Sequence, residues 1–144
     1  MFLSVSRRAA ALTGALLVTV LAACSSGAST TPLPSGVEPP SDCAKVQDGV
    51  ITLSAKDLKF SAPCLVANAG EKFTIHFTNQ EDMPHNVAVY TDSGKGTTIV
   101  KGDVVPSAGQ SKDYEVPAQD EGQYYFDCDF HPEQMNGTLY VVSS

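Results

Sequence analysis

Hydrophobic and polar residues alternate in short segments through most of the chain beyond residue 50. The clearest alternation runs from Lys72 to Thr78, and it places aromatic and branched residues on one face and His76 on the other, solvent-facing side. Comparable strand signals, bounded by Gly and Pro residues, occur at 50–53, 58–60, 85–90, 97–101, 111–116, 123–128 and 137–142. No stretch carries a sustained helical period. About seven to eight short strands at this spacing predict an all-β fold, a Greek-key antiparallel β-sandwich.

The first residues have the features of an export signal. Arg7 and Arg8 precede an uncharged run at 9–20, which has the length of a signal-peptide core and is too short to span a bilayer. The run ends in Leu21-Ala-Ala-Cys24, which resembles the lipobox of bacterial lipoproteins. We therefore expect a lipoprotein signal peptide at 1–23 and an extracytoplasmic protein anchored to the cell membrane by lipid on Cys24. An ordinary secretory signal that happens to end at a cysteine is the alternative.

Residues 24–41 are rich in Ser, Thr, Pro and Gly and predict a tether, which leaves 42–144 as one domain. Cleavage after residue 23 would remove two arginines and no acidic residue, so the formal charge would change from −7 to −9. This acidity argues against nucleic acid as a partner, since phosphate backbones repel it. We expect a monomeric domain.

A candidate metal site follows from four side chains. Cys128 ends the strand signal at 123–128, and His131 and Met135 follow it within one short loop, while His85 stands upstream. Two imidazoles, a thiolate and a thioether form the ligand set of a blue-copper electron-transfer centre. Calcium and magnesium require oxygen ligands, and structural zinc sites normally contain no methionine. The set therefore predicts one type 1 copper ion.

The order of these residues resembles the cupredoxin superfamily, which includes plastocyanin, amicyanin and azurin. The segment Pro84-His85-Asn86-Val87 is similar to the one that carries the remote histidine in plastocyanin, and a Gly-led final strand follows the ligand loop. The resemblance implies that His85, Cys128 and His131 bind copper in a plane, with Met135 as a weak axial ligand. It also implies that Asn86 braces the cysteine loop near Asp129.

The resemblance further implies a protein that transfers single electrons to a redox partner protein at the membrane surface and is not an enzyme. Electrons would enter and leave by the exposed edge of His131. Several acidic residues lie near the ligands in sequence, and around copper they would lower its reduction potential or steer a cationic partner to the site. They are Glu81, Asp82, Asp127, Asp129 and Glu133.

Four cysteines in an exported protein would ordinarily indicate two disulfides. If Cys24 carries lipid and Cys128 binds metal, Cys43 and Cys64 remain to form one bridge. The alternative is that Cys128 is oxidised with Cys43 or Cys64, which would destroy the proposed metal site.

Other interpretations of the site remain open at this point. Met83 is a second candidate thioether, and a zinc site on the two histidines and Cys128 could use Glu133 as a general base. A Cys–His nucleophile is a weaker possibility, because no oxyanion site is evident. The domain could also store or deliver copper outside the membrane, or hold copper for a structural purpose alone.

Overall fold

The computed structural model describes residues 38–143. The signal peptide at 1–23, Cys24 and most of the tether at 24–41 lie outside the described residues, so these assignments stay predictions. The described part contains ten strands: β1 (Ala44–Lys45), β2 (Val50–Lys56), β3 (Lys59–Phe60), β4 (Cys64–Asn68), β5 (Phe73–Asn79), β6 (Ala88–Tyr90), β7 (Thr98–Lys101), β8 (Ser111–Val116), β9 (Gly122–Asp127) and β10 (Asn136–Val142). Residues 38–143 include no α-helix, and hence none that could cross a bilayer.

The strands form two sheets, which confirms the all-β prediction. One sheet has the order β1-β4-β10-β9-β6-β7, and the other has the order β3-β2-β5-β8. In detail, the described residues form ten strands where about seven to eight were expected, and both sheets contain parallel as well as antiparallel pairs. The pairs β1–β4, β4–β10 and β2–β5 are parallel, while the remaining pairs are antiparallel.

Strands β1 and β4 were not expected from the sequence pattern. Strand β4 lacks clean alternation because Cys64 and Leu65 are both buried, and β1 is only two residues long. Cys43, beside β1, forms a disulfide with Cys64 at the start of β4, which is the pairing expected from the sequence. The bridge fixes the first short strand against the sheet. Cys128 is the free cysteine of the described part of the chain.

The hydrophobic core lies between the two sheets. In β5 the aromatic and branched residues are buried, and His76 lies on the outer face as predicted, 2.6 Å from Asp113. Phe60 packs its ring against Phe77 and Phe126, with centroid distances of 6.2 and 5.3 Å, so aromatic contacts join the two sheets. This packing supports the end of β9, where Cys128 follows directly.

Candidate metal centre

Three of the predicted ligands converge at one end of the sandwich. The potential ligand atoms of His85, Cys128 and His131 all lie within 4.8 Å of one another. The Cys128 Sγ is 3.6 Å from Nδ1 of His85 and 3.9 Å from Nδ1 of His131. His85 and Cys128 are fully buried, whereas His131 is partly exposed. The two imidazoles therefore face the same sulfur from a largely dry environment.

The cysteine loop is closed by its own backbone hydrogen bonds. The His131 N–H donates to the Cys128 carbonyl at 3.0 Å, and the Met135 N–H donates to the His131 carbonyl at 2.8 Å. The Cys128 N–H in turn donates to the Met135 carbonyl at 2.9 Å. Pro132 further restricts the backbone directly after His131. These contacts return the loop so that it begins and ends at adjacent positions.

Gly137 allows β10 to leave this loop close to its neighbours. A Cβ at this position would collide with the Pro63 carbonyl oxygen and with the ring of Phe126. Only a residue without a side chain fits between them, so glycine at this position leaves room for the ring of Phe126 on β9, two residues before Cys128.

The two candidate thioethers differ in their surroundings. Met135 is fully buried and belongs to the same apolar cluster as Cys128, with which it shares a backbone hydrogen bond. Met83 is 38% exposed. Burial beside the cysteine favours Met135 over Met83 as the fourth ligand.

Hydrogen bonds to the backbone hold the segment that carries His85 in place. Its backbone N–H donates to the Val105 carbonyl at 3.1 Å, and the Val105 N–H donates back at 2.7 Å. The Asn79 side-chain amide donates to the carbonyls of Met83 and Val105, at 2.6 and 2.9 Å, and so ties down both segments. This remote histidine therefore sits on a braced loop rather than within the longer strand that its sequence predicted.

The outer ring nitrogen of His85 contacts a carboxylate. Its Nε2 lies 2.9 Å from Glu81 Oε1, which also accepts a hydrogen bond from the Leu58 N–H at 3.0 Å. The Leu58 contact is the main reason why the pKa of Glu81 is lowered, with His85 adding to the effect against the burial cost. Burial lowers the pKa of His85 despite Glu81. Because Nε2 is directed at Glu81, Nδ1, which faces Cys128, is the ring nitrogen left to bind a metal.

Asn86 and Asp129 are joined as the resemblance implied. The Asn86 amide donates to Asp129 Oδ2 at 2.9 Å, and the Asp129 N–H donates to Asn86 Oδ1 at 2.9 Å. Asn86 also donates to the Gly102 carbonyl, and the Tyr90 hydroxyl donates to Asp129 Oδ1 at 2.7 Å. Burial pushes the pKa of Asp129 upward, but the bonds from Asn86 and Tyr90, with the nearby Lys95 charge, outweigh it and lower that pKa.

The acidic residues near the ligands do not form a uniform ring of charge. Glu81 and Asp129 are hydrogen bonded as described above, and Asp127 is fully buried with its charge paired to Lys95. Asp82 and Glu133 are exposed, and Glu133 is not part of the three-residue ligand cluster.

The structure brings together three of the four ligands predicted from the sequence, and it joins Asn86 to Asp129, but other contacts near the cluster were not predicted. The role of Glu81 toward His85 had no signal beyond its charge and nearness in sequence. Tyr90 and Lys95 had no signal in the sequence at all, because the fold alone brings them to the cysteine loop. Beside His131 the surface is partly apolar, because the Phe130 ring is 47% exposed and its centroid lies 6.5 Å from that of His131.

The chain is similar to known copper proteins. The family model described as "Cupredoxin-like domain" matches residues 14–141. Amicyanin from Paracoccus denitrificans is 30% identical over 95 residues, which is 66% of this chain and 68% of that protein. Two solved structures share the fold: auracyanin from Roseiflexus castenholzii (TM-score 0.59, 16% identity) and auracyanin A, described as a "blue" copper protein, from Chloroflexus aurantiacus (TM-score 0.57, 20% identity). Each match covers 67% of this chain and 98% of the auracyanin chain.

Proposed function

This chain belongs to the cupredoxin-like family, and on that premise we propose that it is a type 1 copper protein that transfers single electrons. The observation that carries the proposal is the pair of histidine Nδ1 atoms that face the buried Cys128 sulfur at 3.6 and 3.9 Å. Such a group of nitrogen and soft sulfur donors suits copper rather than an oxygen-seeking cation.

The residues present fit the metal that the family implies. His85, Cys128 and His131 would hold copper, and the buried Met135 would be the weak fourth ligand. Bound there, copper would supply one-electron Cu(I)/Cu(II) chemistry. The described carboxylates near the cluster contact His85 or the cysteine loop from outside, so they orient the site rather than compete as ligands.

The protein itself would contribute three properties to the copper site: a rigid ligand loop, a buried cysteine sulfur and a partly exposed histidine edge. Backbone hydrogen bonds close the cysteine loop, and side-chain bonds hold both histidine-bearing segments, so little rearrangement would accompany a change of charge. Full burial of Cys128 keeps water from the thiolate. Partial exposure of His131, beside the exposed ring of Phe130, supports this edge as the route by which electrons reach a redox partner protein.

The N-terminal sequence supports a location for this activity. We infer that residues 1–23 direct export and that lipid on Cys24 anchors the domain, through the tether at 24–41, to the outer face of the cell membrane. Metabolic labelling with a radioactive fatty acid should tag the parent protein and leave a Cys24→Ala variant untagged and released from the membrane. A variant that stays equally membrane-bound would refute the anchor.

The copper site is tested by absorption spectroscopy of the oxidised, copper-loaded protein. An intense blue band is expected that disappears on reduction and in Cys128→Ser, because the band arises from the copper–thiolate bond. His76→Ala is the matched control, since this histidine lies on the outer face of the other sheet and should leave the band unchanged. A colourless copper complex, or a band that survives Cys128→Ser, would reject the proposal.

Copper storage or delivery is the competing function, and metal exchange separates it from electron transfer. An electron carrier holds both oxidation states and exchanges metal slowly, as the buried ligands favour, and gives reversible one-electron voltammetry. Rapid loss of copper to a competing chelator, without reversible voltammetry, would instead support copper handling.

A further inference from the structure

Lys95 lies in the turn between β6 and β7, and its side chain reaches the end of β9, directly before Cys128. The turn is built from its own hydrogen bonds: Thr91 N–H to the Thr97 carbonyl, Lys95 N–H to the Asp92 carbonyl and Gly94 N–H to Asp92 Oδ1, at 3.0, 3.0 and 2.8 Å. Lys95 itself has a φ of 57°, a conformation that non-glycine residues adopt at some cost. Lys95 therefore occupies a backbone position of the turn that is unfavourable for a residue with a side chain.

The Lys95 side chain reaches both carboxylates that flank Cys128 in sequence. Its Nζ lies 2.7 Å from Asp127 Oδ2 and 3.7 Å from Asp129 Oδ1. The same ammonium lies 5.0 Å from the centre of the Tyr90 ring, whose hydroxyl donates to Asp129. One cation therefore connects the residues immediately before and after the cysteine.

Asp127 depends on this contact. Its side chain is fully buried, and Lys95 is its ion-pair partner. The Tyr125 hydroxyl also interacts with this carboxylate, which contributes to the raised pKa of Tyr125 after burial. A buried carboxylate without compensation is costly, and Lys95 supplies the positive charge that balances it. Because Asp127 is the last residue of β9, the pair fixes the end of the strand from which Cys128 projects.

The network continues from Lys95 to the other side of the ligand cluster. Asp129 exchanges two hydrogen bonds with Asn86, which is the neighbour of His85 in sequence. Lys95 is thus linked through Asp127 to Cys128 and through Asp129 to the segment of His85. It contacts none of the candidate ligands itself.

We propose that Lys95 is a positioning residue for the metal centre, which sets where the Cys128 sulfur lies relative to His85 by bridging the carboxylates on either side of it. The inference rests on the proposed copper function for its spectroscopic test, but its effect on the thiol is independent of metal. A merely structural lysine would alter stability and leave the site unchanged.

The chain contains a matched control for this ion pair. Lys112 and Asp103 are also 2.7 Å apart, but their side chains are 44% and 79% exposed, against 35% and 0% for Lys95 and Asp127. Exposed pairs contribute little, whereas loss of one partner of a buried pair leaves an uncompensated charge. Lys95→Met should raise the unfolding equilibrium constant by about 100-fold, while Lys112→Met should change it by less than about threefold.

The test compares Lys95→Met, Lys95→Arg and Lys112→Met with the parent protein. In the copper-loaded proteins, Lys95→Met should shift the thiolate absorption band and the reduction potential, with Lys95→Arg closer to the parent and Lys112→Met unchanged. In the metal-free native proteins, iodoacetamide should alkylate Cys128 at least about tenfold faster in Lys95→Met, because the strand end opens more often. Peptide mass spectrometry counts Cys128 separately from Cys24.

A parental band, potential and alkylation rate in Lys95→Met would overturn the inference, even if its stability fell. Should that variant fail to fold, Lys95→Met/Asp127→Asn removes both charges and should fold with an altered band and potential; parental values would overturn the inference equally. A parent protein that never turns blue would reject the copper function instead. In that case the alkylation rates still decide the role of Lys95, provided that the parent is compared in urea that lowers its free energy of unfolding to that of Lys95→Met. An excess rate in the variant then reports local opening at Cys128.

Discussion

Glu81 Oε1 lies 2.9 Å from Nε2 of His85, on the ring edge opposite the nitrogen that faces Cys128. The carboxylate is itself held by the Leu58 N–H, so it acts as a fixed acceptor rather than a mobile one. A histidine ligand whose second nitrogen donates to a carboxylate is fixed in tautomer and orientation, and becomes a better donor to the metal. The contact therefore links an acidic loop residue to the strength of the site.

Glu81→Ala should weaken copper binding by about tenfold or more, because the His85 ring loses its fixed acceptor. Competition titration with a chelator of known affinity measures the effect. Asp82→Ala is the control, since this neighbouring carboxylate is exposed and accepts only a long hydrogen bond, 3.3 Å, from Ala108. Equal copper affinities for Glu81→Ala and the parent would show that the contact does not tune the metal.

Met135→Leu should change the copper spectrum and raise the reduction potential, because a neutral donor stabilises Cu(II) more than Cu(I). Leucine has a similar volume, so the buried position should still pack. Met83→Leu is the paired variant, and the exposure of Met83 predicts parental behaviour. Voltammetry measures the reduction potential, and absorption spectroscopy measures the copper spectrum, of both variants. If Met83→Leu altered these properties and Met135→Leu did not, Met83 rather than Met135 would be the fourth ligand.

The sequence predicted the fold class because period-2 alternation in segments such as β5 reflects burial on one face. It did not predict β4, whose neighbouring Cys64 and Leu65 are both buried and so carry no alternation. The parallel pairing of β4 with β10 joins segments far apart in the chain. Local sequence patterns carry no information about such long-range pairing, so the parallel pairs within the two sheets could not be predicted.

Cys128 and His131 could be predicted as ligands because both residue types bind metals and they lie three positions apart in one short loop. The residues that surround the ligands could not be predicted in this way. Lys95 reaches Asp127 only because β6 pairs with both β7 and β9, which brings the turn over the end of the cysteine strand. Its sequence surroundings of Gly, Ser and Asp indicate a turn and nothing about a buried carboxylate.

The disulfide should contribute substantially to stability. Cys43 and Cys64 are separated by 21 positions, and closing a loop of that size in the unfolded chain is worth roughly 3 kcal/mol. Cys43→Ala/Cys64→Ala should therefore lower the free energy of unfolding of the metal-free protein by about that amount. Urea unfolding measures it, and treatment of the parent with a reductant under native conditions provides the comparison. A variant with the parental urea midpoint would show that the bridge is dispensable.

Tyr90 should make the stability of the protein depend on alkaline pH. Burial, together with the hydrogen bond to Asp129 and the charge of that residue, raises the pKa of Tyr90 from 10.0 to about 12. A raised pKa in the folded state means that the neutral hydroxyl contributes stability fully below pH 10, the unfolded value. This contribution is lost as the pH rises through 12. The difference corresponds to about 2–3 kcal/mol.

Tyr90→Phe removes this ionisation together with the hydrogen bond to Asp129. The variant should therefore be less stable than the parent at pH 9, and the gap should narrow between pH 10 and 12 as the parent loses its advantage. Urea unfolding of both proteins at a series of pH values measures the gap, and terms common to both cancel in the difference. A gap that stays constant from pH 9 to 12 would mean that Tyr90 ionises equally in the folded and unfolded states, contrary to the burial and hydrogen bonding of its hydroxyl.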